Sequence, residues 1–177
     1  MKIFVTVNAG SGKTTFSKQI ANKLGIELIN LDKIVWLPGW KVADKAKKEN
    51  EISNILKKSS WIVEGVSKTI LTEADVVIFL DYPSYICYYR AFKRNLKYLF
   101  HSRPELPKQC PEILVIFKLI KIIWNFPKYV KPNLLKQLDQ YQKTKQIIHI
   151  TKLNKKCCKL VPGAGVEPAQ ELPPEGF

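Results

Sequence analysis

The fold of this 177-residue chain is indicated by its first loop, which reads Val7-Asn8-Ala9-Gly10-Ser11-Gly12-Lys13-Thr14-Thr15. An apolar run over residues 3–7 precedes the loop, and apolar residues follow it at helical spacing. A strand that leads through a glycine-rich loop into a helix is typical of phosphate binding, because the loop amides and the helix N-terminus face the same anion. The sequence therefore predicts that residues 8–15 bind the phosphates of ATP.

The residue types of this loop suit different tasks. Gly10 and Gly12 allow the backbone to curl closely around phosphate oxygens, and Lys13 supplies positive charge to the β- and γ-phosphates. Thr14 offers a hydroxyl ligand for Mg²⁺. Val7 stands where the pattern G-x-x-x-x-G-K-S/T has its first glycine. The alternative to a nucleotide site is a glycine-rich turn that binds no ligand.

Length and composition fit one globular domain, since 46% of the residues are apolar. The most apolar stretch, residues 113–124, is shorter than a bilayer span and is interrupted by lysines. We therefore expect no membrane-spanning helix and no membrane partner. The chain starts with a core strand instead of a secretory leader, and its four cysteines lack metal-ligand spacing, which favours a cytoplasmic protein with free thiols.

Basic residues dominate the charge of the chain, whose formal net charge is +14. This charge attracts nucleotides and other anions, and it makes DNA an alternative partner. Most of the basic residues are lysines, whereas the arginines are clustered at Arg90, Arg94 and Arg103. The cluster favours sites where a planar guanidinium binds phosphate, and the alternative is a solvated helix surface.

Apolar periodicity alternates between strand and helix along the chain, which predicts a three-layer α/β P-loop fold with a parallel sheet of about five strands. Strands are predicted over residues 2–7, 26–31, 61–64, 76–80 and 146–151, and helices over 15–24, 43–57, 83–99, 112–124 and 132–144. The polar, proline-containing residues 100–111 suit a mobile connection. Residues 1–158 form the predicted domain. Residues 159–177, rich in proline, glycine and glutamate, form a predicted disordered tail.

Three acidic residues end or directly follow predicted strands, at Asp32, Glu64 and Asp81. Ligands of a parallel α/β sheet bind at the carboxyl ends of its strands, so we expect these side chains near the loop. Glu64 and Asp81 are candidate Mg²⁺ ligands together with Thr14. For Asp32 and Asp81, capping of the following helix is the alternative.

Further segments along residues 1–151 occur in a characteristic order: Leu31-Asp32-Lys33, Trp36-Leu37-Pro38-Gly39-Trp40, Trp61-Ile62-Val63-Glu64-Gly65, Phe79-Leu80-Asp81-Tyr82-Pro83, Arg103-Pro104, Cys110-Pro111-Glu112 and Trp124-Asn125-Phe126. With the loop, they resemble the small P-loop kinases related to adenylate kinase that include the DNA topology modulation proteins. The resemblance implies the nucleoside-monophosphate-kinase fold, with an acceptor-binding insert after the second strand and a lid, here about residues 90–130.

The resemblance also implies roles for single residues. Glu64 matches an acid that orients Mg²⁺ through water. Asp32 matches a carboxylate that faces the acceptor, where it can take a hydroxyl proton or bind the acceptor's sugar. Arg90, Arg94 and Arg103 match lid arginines that stabilise developing charge. After Glu64-Gly65 this chain has Val66-Ser67 instead of the family's Asn-Tyr. Trp36 and Trp40 fit either stacking on an acceptor or local packing.

Taken together, these features predict an ATP-dependent kinase that acts on a nucleotide or another small acceptor. One alternative is a nucleotide-dependent protein that binds DNA or affects its topology without kinase turnover. Another is a protein that binds ATP without phosphoryl transfer.

Overall fold

Residues 1–103, 106–107 and 109–151 are described by the structure, a computed structural model. Its first half contains, in chain order, strand β1 (Lys2–Val7), helix α1 (Lys13–Leu24), strand β2 (Leu28–Asn30), helix α2 (Leu31–Val35), strand β3 (Trp36–Leu37), a 3₁₀ turn (Pro38–Trp40), strand β4 (Lys41–Val42), helix α3 (Lys45–Leu56) and strand β5 (Trp61–Glu64).

The second half contains helix α4 (Lys68–Glu73), strand β6 (Val76–Leu80), helix α5 (Ser84–Lys97), a 3₁₀ turn (Glu112–Val115), helix α6 (Ile116–Asn125), a π-helical turn (Phe126–Val130), helix α7 (Lys131–Tyr141) and strand β7 (Gln146–Ile150). The predicted tail, residues 159–177, lies outside the described residues, as does the end of the predicted domain.

Five parallel strands form the central sheet in the order β2-β5-β1-β6-β7. Alternate residues of each strand face opposite sides, so Ile3 and Val5 pack with α1, α5 and α6 while Phe4 packs with α3, α4 and α7. Both faces are thereby covered by helices, as a parallel sheet requires. The predicted α/β fold with about five parallel strands is confirmed.

Helix α1 shows why the loop and the sheet lie together. Phe16 and Ile20 are buried against the sheet, and the helix ends at Gly25, whose φ of 64° is the left-handed conformation that glycine adopts without strain. The helix begins at Lys13, slightly before its predicted start at residue 15. It therefore directs its N-terminus at the loop.

Three elements are absent from the sequence prediction: helices α2 and α4 and the β3–β4 hairpin. All are too short to show an apolar period, and each of the two helices is capped by a single side chain, α2 by Asn30 and α4 by Ser67. The predicted strand 26–31 is correspondingly shorter, because Asn30 ends β2 and caps α2 by accepting a hydrogen bond from the Asp32 amide at 2.8 Å. Helices predicted as separate over 112–124 and 132–144 are joined through the π-helical turn.

The described part of the 100–111 connection is anchored to the rest of the fold. Ser102 bridges to Pro111, and the Ser102 hydroxyl accepts a hydrogen bond from the Cys110 amide at 2.7 Å. The hairpin contributes two further bonds, from the Gly39 amide to the Gln109 carbonyl at 3.0 Å and from Trp40 Nε1 to the Pro111 carbonyl at 2.9 Å. This segment and the hairpin therefore form one packed unit.

Cys87 and Cys110 are buried and free, in agreement with the predicted thiols at these two positions. Among the residues that the structure describes, no helix is long and apolar enough to cross a membrane.

Candidate functional site

The glycines of the loop have conformations that other residues avoid. Gly10 and Gly12 have φ values of 79° and 89°, and a Cβ atom on Gly10 would collide with the Cys87 carbonyl oxygen of α5. Gly12 is also the N-cap of α1, and no side chain caps this helix. The first amides of α1 are therefore left for an anion, as expected of a phosphate site.

Lys13 and Asp32 lie on the same side of the loop. Lys13 Nζ is 3.8 Å from Asp32 Oδ2, and both side chains are partly exposed. Asp32 sits in the first turn of α2, and the cap of that helix is Asn30. The capping alternative for Asp32 is therefore wrong, and its carboxylate faces the loop lysine.

Glu64 is fully buried at the end of β5, beside the start of α1. Its Oε1 accepts hydrogen bonds from Thr14 Oγ1 at 2.9 Å and from Asn30 Nδ2 at 2.5 Å. Its Oε2 is buried and makes no hydrogen bond of good geometry within the part of the chain that the structure describes, although the Ser17 hydroxyl lies close enough to the carboxylate to favour its charged form. One oxygen of this carboxylate is thus held in place by Thr14 and Asn30, and the other is not.

Burial is the main electrostatic influence on Glu64. It raises the pKa of the carboxyl above its ordinary value of 4.5, because a buried charge loses its hydration. The nearby charge of Lys13 and the hydroxyls of Thr14 and Ser17 act in the opposite direction and lower the pKa. A cation beside Glu64 would likewise favour the ionised form.

These residues fit a magnesium ion. Mg²⁺ prefers oxygen ligands and keeps several of its waters, so it needs only a few protein groups. The Thr14 hydroxyl and the Oε2 atom of Glu64 are oxygens of this kind at the start of α1. No cluster of three or more candidate metal ligands of the His, Cys, Asp and Glu type occurs among the described residues, so such an ion would depend on phosphate and water for its other ligands.

Asp81 directly follows β6, as the sequence predicts. Its carboxylate contacts Lys131 and His149 instead of the loop residues. Its Oδ2 is 2.8 Å from Lys131 Nζ and 2.9 Å from His149 Nε2. The N-cap of α5 is Pro83 and no side chain caps that helix, so the capping alternative for Asp81 is wrong. Asp81 and Lys131 line a cavity of about 390 Å³ that extends to Asn8 of the loop.

The three arginines are divided between two places. Arg90 Nη1 donates a hydrogen bond to the Ser11 carbonyl at 2.7 Å, and its guanidinium lies 5.3 Å from the centre of the Tyr82 ring. Arg94 and Arg103 instead form ion pairs with Glu112, with Arg94 Nη2 at 4.0 Å. The structure thus brings Arg90 to the loop, whereas Arg94 and Arg103 form ion pairs with Glu112.

Trp36 and Trp40 pack against each other across the hairpin turn. Their rings are edge to face with centres 5.3 Å apart, and Lys118 Nζ lies 5.2 Å from the centre of the Trp36 ring. Trp40 is held by its bond to Pro111. These contacts support the local-packing interpretation of the two tryptophans.

Two residues of this region received no individual role from the sequence. Asn30 connects Glu64 to the start of α2, and a short polar residue just before Leu31-Asp32 is a signal for such a cap. Glu112 forms ion pairs with Arg94 and Arg103. In the sequence, its only signal is its position in the segment Cys110-Pro111-Glu112. Both act through contacts that are distant in sequence.

Comparison with solved structures identifies the architecture. A deoxyadenosine kinase from M. mycoides, solved with the products dCMP and dCDP, has a TM-score of 0.53 at 18% identity, with 90% of this chain and 95% of that chain covered. This chain has a P-loop kinase-like fold.

A shikimate kinase from Bacteroides thetaiotaomicron gives a TM-score of 0.49 at 18% identity over 90% of this chain and 92% of that chain. No family model matches the sequence, and no curated protein does. The resemblance to the topology modulation proteins therefore stays a prediction.

Proposed function

We propose that this protein is an ATP-dependent kinase that transfers the γ-phosphoryl group of ATP to a hydroxyl of a small acceptor, a nucleoside or nucleotide being the first candidate. The observation that carries the proposal is the arrangement of Lys13, Thr14, Asp32 and Glu64 around a loop whose helix N-terminus is uncapped. Phosphoryl transfer needs this kind of positioned charge more than it needs covalent chemistry from the protein.

In this proposal the loop holds the donor. Backbone amides of residues 10–14 bind phosphate oxygens, and Lys13 leaves Asp32 to contact the β- and γ-phosphates. Arg90 fixes the loop through Ser11 and adds positive charge next to the same phosphates. The two positive φ angles explain why glycine is needed for this close approach.

Thr14 and Glu64 would hold Mg²⁺, which supplies positive charge that neutralises the oxygens of the transferring group. Glu64 is suited to this because Thr14 and Asn30 fix one of its oxygens, while the other makes no hydrogen bond of good geometry among the described residues. Asp81 is less suited, since Lys131 and His149 already contact its carboxylate.

Asp32 would act on the acceptor. As the acceptor oxygen bonds to the γ-phosphorus, the bond to the β–γ bridging oxygen breaks and ADP leaves. The Asp32 carboxylate accepts the acceptor's hydroxyl proton. This role is supported by the Asn30 cap of α2, which fixes the Asp32 backbone.

The test is transfer of label from γ-labelled ATP, with Mg²⁺, to a panel of deoxynucleosides, nucleosides, nucleoside monophosphates and small hydroxyl metabolites. Deoxynucleosides come first because the similar deoxyadenosine kinase was solved with deoxynucleotides. We expect one acceptor class to be labelled, and the rate to fall about 10²–10³-fold in Lys13→Ala.

Lys23→Ala is the matched control, because Lys23 lies in the last turn of the same helix, away from the loop. It should keep the full rate. Binding of MgATP without any labelled acceptor would contradict the kinase proposal and favour nucleotide binding without transfer.

A further inference from the structure

Helices α5 and α6 carry many exposed large apolar residues, and these lie outside the proposed site. On α5, a stripe of large apolar residues recurs at spacings of four and three residues, so that its members share one helical face. They are 59–72% exposed, while Cys87, Ala91 and Asn95 fill the buried face of the same helix. The stripe consists of Tyr85, Tyr89, Phe92 and Leu96.

A second stripe lies on α6 and the turn before it. Its members are 47–84% exposed, and Ile123 on the inner side of the helix is buried. The stripe consists of Leu114, Phe117, Ile120 and Trp124. Helix α5 packs against α6, and the Tyr88 hydroxyl donates a hydrogen bond to the Ile120 carbonyl at 3.3 Å. The two stripes therefore lie on neighbouring helices; we call them together the α5–α6 face.

This face is large for a protein surface. A buried aromatic side chain covers about 150–250 Å², so the five aromatic residues of the face, each at least 60% exposed, present roughly 500 Å² or more by themselves. The largest apolar patch on a monomeric protein is about 300–600 Å² and is often functional. The aliphatic members add to the area. An apolar surface of this size indicates contact with something other than water.

The charge around the α5–α6 face has one sign. From residue 82 to residue 138 the acidic residues are Glu105 and Glu112 alone, and Glu112 is buried against Arg94 and Arg103. Exposed lysines accompany both stripes, at Lys93, Lys97, Lys118 and Lys121. A second copy of the chain would bring these lysines against one another, whereas an anionic surface would neutralise them.

We propose that the α5–α6 face docks on the surface of an anionic lipid bilayer. Aromatic and aliphatic side chains beside lysines are suited to the interface, because the apolar parts enter the acyl boundary while the ammonium groups stay among the headgroups. In the sequence, the lysines that interrupt residues 113–124 argue against a membrane partner. On the folded surface, they argue only against spanning and support docking.

The proposal is tested by sedimenting the full-length protein with vesicles of pure phosphatidylcholine and of equimolar phosphatidylcholine and phosphatidylglycerol. We expect binding to the anionic vesicles only. The double variant Phe92→Ser with Phe117→Ser should lower the partition coefficient at least about tenfold, because two exposed phenyl rings are lost. Neither side chain is part of the core, so the melting temperature should stay unchanged.

The charge contribution is tested by Lys93→Glu with Lys121→Glu, which should also weaken binding. Its matched control is Lys47→Glu with Lys57→Glu, which changes the net charge equally on the opposite face of the sheet, where α3 lies. This control should bind nearly as well as the unchanged protein.

Three results would overturn the proposal. One is the absence of binding to anionic vesicles, and another is equal loss in the α3 control, which would indicate attraction by net charge alone. The third is a dimer in light scattering that Phe92→Ser with Phe117→Ser converts to a monomer, which would assign the face to a second copy of the chain.

Discussion

Two glutamates of this protein are almost completely removed from water, and their surroundings are opposite. Glu112 is 1% exposed and lies between Arg94 and Arg103, and the Asn95 amide, oriented with its nitrogen toward Glu112, donates to Oε2 at 2.8 Å. Glu64 is 0% exposed and receives hydrogen bonds from Thr14 and Asn30 on one oxygen only.

The difference separates a carboxylate with a structural role from the one proposed to bind a metal ion. At Glu112, two guanidinium groups compensate the buried charge inside the protein, so the ion pairs join α5 to the 100–112 segment. At Glu64 the compensation is incomplete, and burial raises the pKa of its carboxyl. An incompletely compensated carboxylate beside the proposed phosphate-binding loop is suited to an incoming cation.

The largest effect should follow from breaking the Glu112 cluster. Glu112→Gln leaves two arginines next to a neutral side chain, and removal of one partner of a buried ion pair costs ~3–5 kcal/mol. We expect a loss of this order in the free energy of unfolding, measured by urea denaturation.

The control for that loss is Glu27→Gln, which removes an ion pair to Lys58 at 2.6 Å between largely exposed side chains. Exposed pairs contribute about 0–1 kcal/mol, so this variant should be nearly as stable as the unchanged protein. Equal losses in the two variants would show that the buried Glu112 cluster stabilises the protein no more than an exposed ion pair does.

Glu64→Gln should have the opposite effect: it should lower activity without lowering stability. The amide retains an acceptor for Thr14 and Asn30 but has no charge to bury, so the free energy of unfolding at neutral pH should be unchanged or higher. Activity with MgATP should fall about 10²-fold, because the charged oxygen proposed to bind the metal is lost. Steady-state kinetics and denaturation of the same preparation measure both. A loss of stability as large as that of Glu112→Gln would contradict the comparison.

The pH dependence of stability gives a smaller effect with a defined sign. Because the pKa of Glu64 is raised in the folded protein, the folded state holds a proton that the unfolded state has released above the ordinary value of 4.5. Stability therefore falls as the pH rises through this window and stays lower above it. Relative to Glu64→Gln, the unchanged protein should lose stability between pH 4.5 and neutrality. A constant difference between the two would show that the pKa of Glu64 is not raised.

The sequence reveals the parts of the fold that depend on local pattern. Strands β1, β5 and β6 are correctly bounded because apolar runs end at turn residues, and Gly25 marks the end of α1. The loop and the strand-end carboxylates Asp32 and Glu64 come together because parallel strands place their carboxyl ends at one edge.

Contacts between residues that are distant in the sequence could not be predicted. The pairing of Glu112 with Arg94 and Arg103, and the docking of the β3–β4 hairpin on residues 109–111, join segments whose spacing has no period. The same holds for Asn30, whose amide reaches Glu64 on the neighbouring strand. Which side chains pair in this way depends on how the segments pack together, and the sequence of a single segment does not contain that information.

Asn30 offers the smallest and most informative change. Asn30→Ala removes both the cap of α2 and the hydrogen bond to Glu64, so we expect a loss of about 1–2 kcal/mol in the free energy of unfolding and a drop in kcat with MgATP. Asn30→Ser separates these roles, because serine caps helices well but has no amide to donate to Glu64.

If Asn30 positions Glu64 for a metal, Asn30→Ser should recover stability relative to Asn30→Ala while kcat stays low and more Mg²⁺ is needed for half-maximal rate. If serine restores both, the contribution of Asn30 is the cap alone, and Glu64 needs only Thr14 to hold its orientation. The two carboxylates would then still differ in charge compensation. The connection from Glu64 through Asn30 to Asp32 would have no part in the reaction.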